Sequence, residues 1–359
     1  MKVKNNEKLA HVLIDRRTTI KHAMCKLNET GMQILLVVDA RQRLTGTVTD
    51  GDIRRALIGN IRLTNSVSKI MNKEPKHLYE NEKDRAGEFM KQEVIQHVPI
   101  LNKKDQVVDI ISWKDVNAEE EPRFYAKKDN IVFIMAGGKG TRLDPFTKIM
   151  PKPLIPSNDK PIIEIIMENF KKYGLNNFII SVNYKREMIK MYFKENPQDF
   201  NIRYLEEKDF LGTAGSLALI KKKIDKPVIV SNCDVILDIC FEDLLNHHVA
   251  EKNDFTIVGI VRHIKIPYGV LKMKNGSLSD IVEKPEYDFV VNAGIYVISP
   301  KVIKLIADHE RVDMPDLILK ARKKGYRVSV YPLSRGWTNV EHWEGYRTAL
   351  EHFRDVGAI

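Results

Sequence analysis

The chain has 359 residues and a formal net charge of +10; 43% of the residues are hydrophobic and 30% are charged, which predicts about two globular domains. No apolar run approaches the ~18 residues that cross a bilayer, and residues 1–7 lack the apolar stretch of a signal peptide, so we expect a cytoplasmic protein with no membrane partner. Three scattered cysteines argue against a disulfide framework or a zinc site, and lysines spread along the chain argue against nucleic acid as a partner.

The N-terminal part of the chain contains an internal repeat. Residues 36–53 align without a gap on residues 99–116. Each copy is predicted to form a strand, a polar turn, a second strand and then a hydroxyl-x-x-carboxylate motif that opens a helix. The motif runs from Thr49 to Asp52 in the first copy and from Ser112 to Asp115 in the second. In such a motif the hydroxyl residue is typical of a helix N-cap.

The repeat resembles a pair of CBS (cystathionine β-synthase-type) modules. In that family, the hydroxyl and the carboxylate of the motif hold the phosphate and ribose of adenosine nucleotides. The resemblance therefore implies that residues 1–120 form a regulatory tandem CBS pair with an adenosine nucleotide as its ligand. The implied ligand residues are Thr49, Asp52, Ser112 and Asp115. Helix capping alone also explains both motifs.

A polar, proline-containing stretch at residues 121–129 is the predicted linker. Beyond it, at 130–359, apolar strand segments alternate with amphipathic helices, which predicts an α/β domain with a Rossmann-like, mostly parallel sheet. Ligands of such sheets bind beyond the carboxyl ends of the strands. His247 and His248 are predicted to lie on the surface of a helix. The predicted strands are Ile131–Met135, Phe178–Val182, Val228–Ser231, Phe255–Val261 and Val291–Ile298, and the predicted helices are Ile162–Tyr173, Lys185–Lys194 and Thr213–Lys222.

The first of these strands runs directly into a glycine-rich segment, AGGKGTRL, at residues 136–143. Glycines let backbone N–H groups approach phosphate oxygens, and the planar guanidinium of Arg142 fits a phosphate. The segment is not a P-loop, because no Lys-Ser/Thr pair follows. It is not a dinucleotide fingerprint either, because Leu143 stands at the third glycine position, which disfavours an oxidoreductase. A simple glycine-rich turn is the alternative interpretation.

The string AGGKGTRLDPFTKIMPKPLIP at residues 136–156 resembles the signature of sugar-1-phosphate nucleotidyltransferases, and the resemblance extends over 130–350. It implies a Mg²⁺-dependent enzyme that joins a nucleoside triphosphate to a sugar 1-phosphate. The prolines that flank Lys152 fix the direction of its side chain. The implied catalytic residues are Arg142, Lys152, Asp234 and Lys284. The implied nucleotide-binding residues are Ala136, Gly137, Gly138, Gly140, Thr141, Glu207 and Gly212.

The resemblance assigns the metal to Asp234 and to Asn339. The family usually has an Asp two residues after a Trp at the second position, and an Asn oxygen can bind a metal but carries no charge. We therefore expect weaker metal binding, unless the triphosphate or the nearby Glu341 compensates. The implied sugar-phosphate side consists of Gly269, Glu283, Lys284 and Asn292.

Glu207 stands four residues before Leu211, where uridylyltransferases of this family have a Gln that pairs with the pyrimidine. A carboxylate offers only acceptors, which match the N1–H and N2–H₂ donors of guanine. Glu207 therefore favours GTP, unless it is a solvated loop charge. The pattern resembles in particular CBS-fused guanylyltransferases that act on glucosamine 1-phosphate in legionaminic acid biosynthesis. UTP-, dTTP- or CTP-dependent transfer and a catalytically weak nucleotide sensor are the alternatives. Both families tend to self-associate, which implies a homo-oligomer.

Overall fold

A computed structural model describes residues 9–30, 32–93, 95–116, 125–157, 159–220, 224–333, 337–340 and 347. The chain divides into two compact units, with the main division after residue 124. Part of the predicted linker, residues 121–124, lies outside the described residues, and the first strand of the second unit already begins at Lys128. Within the described ranges, every helix is too short or too polar to cross a membrane.

The first unit contains two small sheets with the same design. Its strands are β1 (Leu13–Asp15), β2 (Ile34–Val38), β3 (Leu44–Thr49), β4 (Leu78–Tyr79), β5 (His97–Leu101) and β6 (Val107–Ser112). Its helices are α1 (Ile20–Thr30), α2 (Asp50–Ile58), α3 (Ala86–Glu93) and α4 (Trp113–Val116). The sheets have the orders β1-β2-β3 and β4-β5-β6, and in each one a parallel pair is followed by an antiparallel hairpin. The sequence repeat is thus also a structural repeat.

The two copies of the repeat are hydrogen-bonded to each other through equivalent residues. Leu44 N donates to Asp105 O at 3.0 Å, and Val107 N donates to Gln42 O at 3.1 Å. In the sequence alignment of the repeat, Gln42 matches Asp105 and Leu44 matches Val107. The two hydrogen bonds are therefore exchanged by a local two-fold relationship, as in a symmetric dimer interface.

Both hydroxyl-x-x-carboxylate motifs have the capping geometry. Thr49 is the N-cap of α2; its Oγ1 and its backbone N donate to Asp52 Oδ2 at 2.7 and 2.8 Å. In the second copy, Ser112 Oγ and N each donate to Asp115 Oδ2 at 2.7 Å. The capping interpretation is confirmed. Since the same groups are the implied adenosine-nucleotide ligands, nucleotide binding there stays a prediction.

A seven-stranded sheet forms the centre of the second unit, and smaller sheets contain the remaining strands of the unit. The following strands are those of the whole unit. Its strands are β7 (Lys128–Met135), β8 (Pro156–Ser157), β9 (Lys160–Pro161), β10 (Leu175–Val182), β11 (Asn201–Glu206), β12 (Val228–Asn232), β13 (Val235–Leu237), β14 (Phe255–Lys265), β15 (Val270–Lys274), β16 (Ser277–Val282), β17 (Glu286–Ile298), β18 (Val328–Leu333) and β19 (Trp337–Asn339). Its helices are α5 (Phe146–Ile149), α6 (Ile162–Lys172), α7 (Arg186–Glu195), α8 (Gly212–Gly215), α9 (Phe241–Ala250), α10 (Pro300–Ile303) and α11 (Met314–Lys323).

The large sheet has the strand order β11-β10-β7-β12-β17-β14-β18. β11, β10, β7 and β12 run parallel, while β17 runs antiparallel to both of its neighbours. Large apolar side chains of the sheet, among them Phe133, Phe255 and Tyr296, pack into a buried core. The predicted strands all form and the sheet is mostly parallel, as predicted. The carboxyl ends of β7, β10 and β12 therefore lie side by side at one edge of the sheet.

Two elements differ from the sequence prediction. β14 and β17 are longer than predicted, because they continue beyond the core as a paired, largely exposed arm that ends at Lys265 and Glu286. The helix predicted from Thr213 is instead the short α8 followed by a 3₁₀ turn at Ser216–Ile220. Glycines at both ends of α8 disfavour a long regular helix there.

The prediction of a surface histidine pair is wrong for His248. Its side chain is only 1% exposed. Its ring nitrogens lie 2.8 Å from Thr256 Oγ1 and 3.1 Å from Ser299 Oγ. Burial lowers the pKa of His248 from its usual 6.5 to about 4, and the opposing effect of Asp254 is smaller. Helical periodicity alone does not show which side of α9 faces the sheet.

We expect the second unit to lose stability as the pH falls from 7 to 5, because the unfolded chain takes up a proton at His248 that the folded state excludes. The loss begins as the pH falls through 6.5, the pKa of unfolded His248, and reaches about 2 kcal/mol at pH 5. Denaturant titrations at both pH values measure it. His248→Gln keeps a donor and an acceptor without titrating, so its loss should be smaller. Equal losses in both proteins would contradict the burial of a neutral His248.

Candidate functional site

The candidate site is a cavity of about 430 Å³ at the carboxyl ends of β7, β10 and β12. Met135, Ser181 and Asn232 contribute to it from these three strands. One part of its lining comes from the glycine-rich segment and the Pro-Lys-Pro turn: Gly137, Gly138, Gly140, Thr141, Arg142 and Lys152. Another part contains Glu207, Gly212 and Asp234. The structure thus places nine of the residues predicted from sequence around one cavity.

The glycine-rich segment leaves two positions where a side chain does not fit. Gly140 has φ +68°, and a Cβ there would lie 2.9 Å from Lys152 Cβ. A Cβ on Gly137 would lie 2.9 Å from Glu207 Oε1. Gly138, in contrast, faces open space. Ala136 lies behind the loop, buried, and its backbone N donates to Ser181 O at 3.0 Å. The loop therefore approaches Lys152 and Glu207 closely because Gly140 and Gly137 carry no side chain.

Lys152 and Asp234 form an ion pair at the cavity wall. Lys152 Nζ donates to Asp234 Oδ2, and the two side chains are only 13% and 8% exposed. Lys152 opens a 3₁₀ turn after Pro151, and Asp234 follows the end of β12. Each charge is neutralised by the other in this state, which limits the cost of burying them. A phosphate that enters the cavity would replace Asp234 as the partner of Lys152, and a cation would replace Lys152 as the partner of Asp234.

Asn339, the second predicted metal residue, lies close to Asp234 across a pair of antiparallel strands. β13 and β19 are antiparallel, Asn339 is opposite Val235, and Val340 N donates to Asp234 O at 2.9 Å. The side chain of Asn339, and Glu341 altogether, lie outside the described residues. The described ranges hold no group of three or more His, Cys, Asp or Glu side chains suited to a metal. Magnesium commonly uses one or two carboxylates together with substrate phosphates, and a single Asp234 on the wall of a cavity that Arg142 and Lys152 also line fits that donor set.

Glu207 is buried against the loop rather than solvated. Its side chain is 5% exposed, and its backbone N donates to Val182 O at 3.0 Å, directly after β11. Burial raises the pKa of Glu207, while the Ser181 hydroxyl, the Leu211 N–H and the Ser216 hydroxyl act in the opposite direction. The alternative of a solvated loop charge is therefore wrong. A buried carboxylate that lines a cavity is suited to accept hydrogen bonds from a ligand.

Among the lining residues that the sequence analysis did not select are Phe210 and Arg311. Phe210 directly precedes the loop at residues 211–215, here called the Leu-Gly loop, and Lys139 Nζ lies 5.4 Å from the centre of the Phe210 ring. Arg311 belongs to a segment about a hundred residues further along the chain, which Asp313 joins to Thr213 by a hydrogen bond of 3.0 Å. The sequence carries no motif that signals this long-range contact.

The predicted sugar-phosphate residues do not contribute to the lining of the cavity. Gly269 and Glu283 lie together, because a Cβ on Gly269 would be 2.9 Å from Glu283 Oε2. Lys284 is exposed and has φ +44°. Asn292 is exposed, but its amide donates to Tyr296 OH at 2.8 Å and its Oδ1 accepts from Gly294 N at 3.0 Å. Their role toward a sugar phosphate stays a prediction.

Comparison with known proteins shows the family. Residues 131–355 match the family model "Nucleotidyl transferase", and residues 10–59 match that of the CBS domain. Since the first match covers more than half of the chain, the protein belongs to the nucleotidyl transferase family. The predicted order of a CBS module followed by a mostly parallel nucleotidyltransferase domain is confirmed.

The protein is similar to mannose-1-phosphate guanyltransferase from Yarrowia lipolytica, with 37% identity over 183 residues, 48% of this chain and 50% of the relative. It is also similar to the catalytic subunit beta of mannose-1-phosphate guanylyltransferase from Xenopus tropicalis, with 38% identity over 185 residues, 48% of this chain and 51% of the relative. The chain thus spans about half the length of the curated relatives it matches. Among solved structures, HddC from Yersinia pseudotuberculosis is 25% identical at a TM-score of 0.50, over 62% of this chain and 99% of HddC.

We expect Gly140→Ala to weaken nucleotide binding by about ten-fold, or ~1.4 kcal/mol, because the new Cβ would push Lys152 and the loop apart. Calorimetric titration with GTP measures the change. Gly276→Ala is a matched control, since Gly276 also has a positive φ (+82°) but faces open space in the β15–β16 turn. Both variants should lose about 1 kcal/mol of stability from backbone strain, and only the first should lose affinity. An unchanged affinity for Gly140→Ala would contradict the close approach of the loop.

Proposed function

We propose that the protein transfers GMP from GTP to a sugar 1-phosphate and releases pyrophosphate. The observation that carries the proposal is the cavity in which a buried carboxylate, Glu207, faces the same space as the glycine loop, Arg142, Lys152 and Asp234. Glu207 suits the base of a nucleotide, the glycine loop, Arg142 and Lys152 suit its phosphates, and Asp234 suits a metal ion bound to those phosphates. Membership of the nucleotidyl transferase family and the names of the guanylyltransferase relatives support the same activity.

The chemistry needs positioning more than acid–base catalysis. A phosphate oxygen of the sugar 1-phosphate attacks the α-phosphorus of the triphosphate, the bond to the β-phosphate oxygen breaks, and pyrophosphate leaves. The attacking phosphate is mostly ionised at neutral pH, since its second pKa is about 6, so no general base is required. Arg142 and Lys152 neutralise charge on the triphosphate, and Lys284 holds the sugar phosphate.

Asp234 is the residue of this chain that would hold a divalent metal, Mg²⁺ in our proposal, with Asn339 as the second ligand. When bound, Mg²⁺ supplies charge neutralisation at the phosphates. Asp234 itself is kept near the cavity by its bond to Lys152. When a nucleotide binds, its phosphates can take over the Lys152 ammonium, which frees the Asp234 carboxylate.

Glu207 provides the selection of the base. An ionised carboxylate accepts from the adjacent N1–H and N2–H₂ groups of guanine, whereas the carbonyls of a pyrimidine would face it unpaired at about 1–3 kcal/mol per group. Burial raises the pKa of Glu207, and a protonated carboxyl would offer one donor and one acceptor, like an amide. Guanine donors favour the ionised form, so GTP and a proton compete at this residue.

The sugar is proposed at the level of a hexose 1-phosphate. The relatives are named for mannose 1-phosphate, and the sequence pattern resembles enzymes that use glucosamine 1-phosphate for legionaminic acid. Either product would be a nucleotide sugar for cell-surface glycans or nonulosonic acids. We further propose that the protein works in the cytoplasm as a homo-oligomer and that an adenosine nucleotide at the CBS unit tunes its activity.

Asp234→Ala should abolish pyrophosphate release from GTP and a hexose 1-phosphate, because it removes the buried carboxylate beside Lys152. A coupled pyrophosphate assay with mannose 1-phosphate and glucosamine 1-phosphate measures it. The control is Asp238→Ala, since Asp238 is an exposed carboxylate four residues further along the chain. It should keep normal turnover. Near-normal turnover of Asp234→Ala would refute the assigned role.

Glu207→Gln should lower kcat/KM for GTP by about ten-fold or more and raise it for UTP or dTTP, because an amide pairs with pyrimidines and leaves one guanine donor unpaired. Steady-state kinetics with these three nucleotides measure the shift. Glu206→Gln is the neighbouring control; Glu206 is exposed and paired with Lys190, so its change should leave the base preference unaltered. A Glu207→Gln variant with unchanged preference would show that Glu207 does not contact the base.

A further inference from the structure

Arg311 is held at one end of the cavity by a segment that docks on the Leu-Gly loop. Val312 N donates to Leu211 O at 2.9 Å, and Val312 O accepts from Ala214 N and Gly215 N at 2.9 and 3.1 Å. Gly212 makes the approach possible, because a Cβ there would lie 2.6 Å from Val312 O. The backbone at Arg311 is therefore fixed beside the loop that follows Glu207, the residue proposed to bind the base.

Two further hydrogen bonds anchor the same segment, directly after Val312. Asp313 Oδ1 accepts from Thr213 N at 3.0 Å, and Thr213 Oγ1 accepts from Met314 N at 2.7 Å. Two residues on the C-terminal side of Arg311 are thus tied down by backbone and side-chain contacts. A side chain that projects from such a segment is well placed to select a ligand, since its backbone loses little freedom on binding.

The guanidinium of Arg311 has no bonding partner in the part of the chain that the structure describes. It lines the cavity, it is exposed, and no described residue forms a hydrogen bond or an ion pair with it. In particular, the groups that act on the Glu207 carboxylate are the Ser181 and Ser216 hydroxyls and the Leu211 N–H, not Arg311, although both charges line the same cavity. A planar donor group and a carboxylate thus line the same cavity without neutralising each other.

Guanine is the base that matches this pair of charges. Its N1–H and N2–H₂ donors suit the Glu207 carboxylate, and its adjacent O6 and N7 acceptors suit a planar guanidinium. Adenine presents an amino group next to N7, and pyrimidines have no N7 at all. We infer that Arg311 is a second base-selecting residue, whose guanidinium donates to O6 and N7 of guanine while Glu207 accepts from N1 and N2. The inference rests on the proposed use of GTP.

A contact of Arg311 with the triphosphate is less consistent with its position. The cavity lining already contains other groups suited to phosphates, namely the glycine loop, Arg142 and Lys152. Arg311 instead follows the Leu-Gly loop, through the hydrogen bonds of its neighbour Val312. A phosphate contact would also not depend on which base the nucleotide carries, and this difference separates the two roles by experiment.

The test compares GTP with two analogues in wild-type protein and in Arg311→Ala, by steady-state pyrophosphate release. 7-Deaza-GTP lacks N7 and keeps N1–H, N2–H₂ and O6, whereas inosine triphosphate lacks the N2 amino group. Wild-type protein should lose about ten-fold in kcat/KM with each analogue, because each removes a hydrogen bond to a charged group. Arg311→Ala should use GTP about ten-fold less well, should no longer distinguish 7-deaza-GTP from GTP, and should still discriminate against inosine triphosphate through Glu207.

Two further variants complete the test. Arg311→Lys keeps the charge but not the planar fork, so it should stay close to Arg311→Ala in its response to 7-deaza-GTP. Arg322→Ala, which removes an exposed arginine of α11, should behave as wild type. A 7-deaza-GTP penalty that persists in Arg311→Ala, or an equal loss with all nucleoside triphosphates, would overturn the inference while leaving the use of GTP intact. A wild-type preference for another base would instead refute the proposed function itself.

Discussion

The cavity of the second unit depends on two backbone positions that leave no space for a side chain. Gly137 lets the Glu207 carboxylate approach the end of β7, and Gly140 lets the Pro-Lys-Pro turn approach the same loop with Lys152. A larger residue at either position would force the loop or the neighbouring charged side chain to shift. The parallel strands supply the frame, because β7, β10 and β12 end at the same edge. The glycines then determine which charged groups meet there.

Some of the charged groups around the cavity form an ion pair with each other, and others do not. Lys152 and Asp234 neutralise each other. Glu207 is buried with only hydroxyl and backbone donors around it, and Arg311 lines the cavity without an ion pair among the described residues. A ligand that carries hydrogen-bond donors on one edge of a planar ring system and acceptors on the adjacent edge would satisfy both remaining groups. Guanine has that pattern, and in the proposed function Lys152 and Arg142 are the partners of its triphosphate. In the proposed function, base selection and phosphate binding are thus carried by different groups around one cavity.

Much of this arrangement follows from local sequence patterns. Alternating strands and helices predicted the parallel sheet, the gapless repeat predicted two equivalent halves of the CBS unit, and the glycine string predicted the loop. These patterns are short-range, since each is encoded within a few tens of residues. The local pattern also placed Thr49 as a helix cap, which the structure confirms. Sequence reasoning succeeded where backbone geometry and hydrophobic periodicity decide the outcome.

The remaining features depend on contacts between distant parts of the chain. Arg311 reaches the cavity because its segment docks on residues 211–215, a contact that no motif announces. His248 is buried because α9 packs that side against β14, whereas its sequence looks like an exposed histidine pair. Glu207 stands in an acidic, polar stretch, and only the fold shows that the loop covers it. In each of these cases, tertiary packing overrides the local character of the sequence.

The base preference of the wild-type protein shows whether Glu207 selects guanine. Pyrophosphate release should be followed with GTP, UTP, dTTP, CTP and ATP in turn, with magnesium and a hexose 1-phosphate present. The account predicts that kcat/KM for GTP exceeds that for each other nucleotide by about ten-fold or more, because two donors of guanine meet a carboxylate. A preference for UTP or dTTP, or no pyrophosphate release with any of the five, would contradict it.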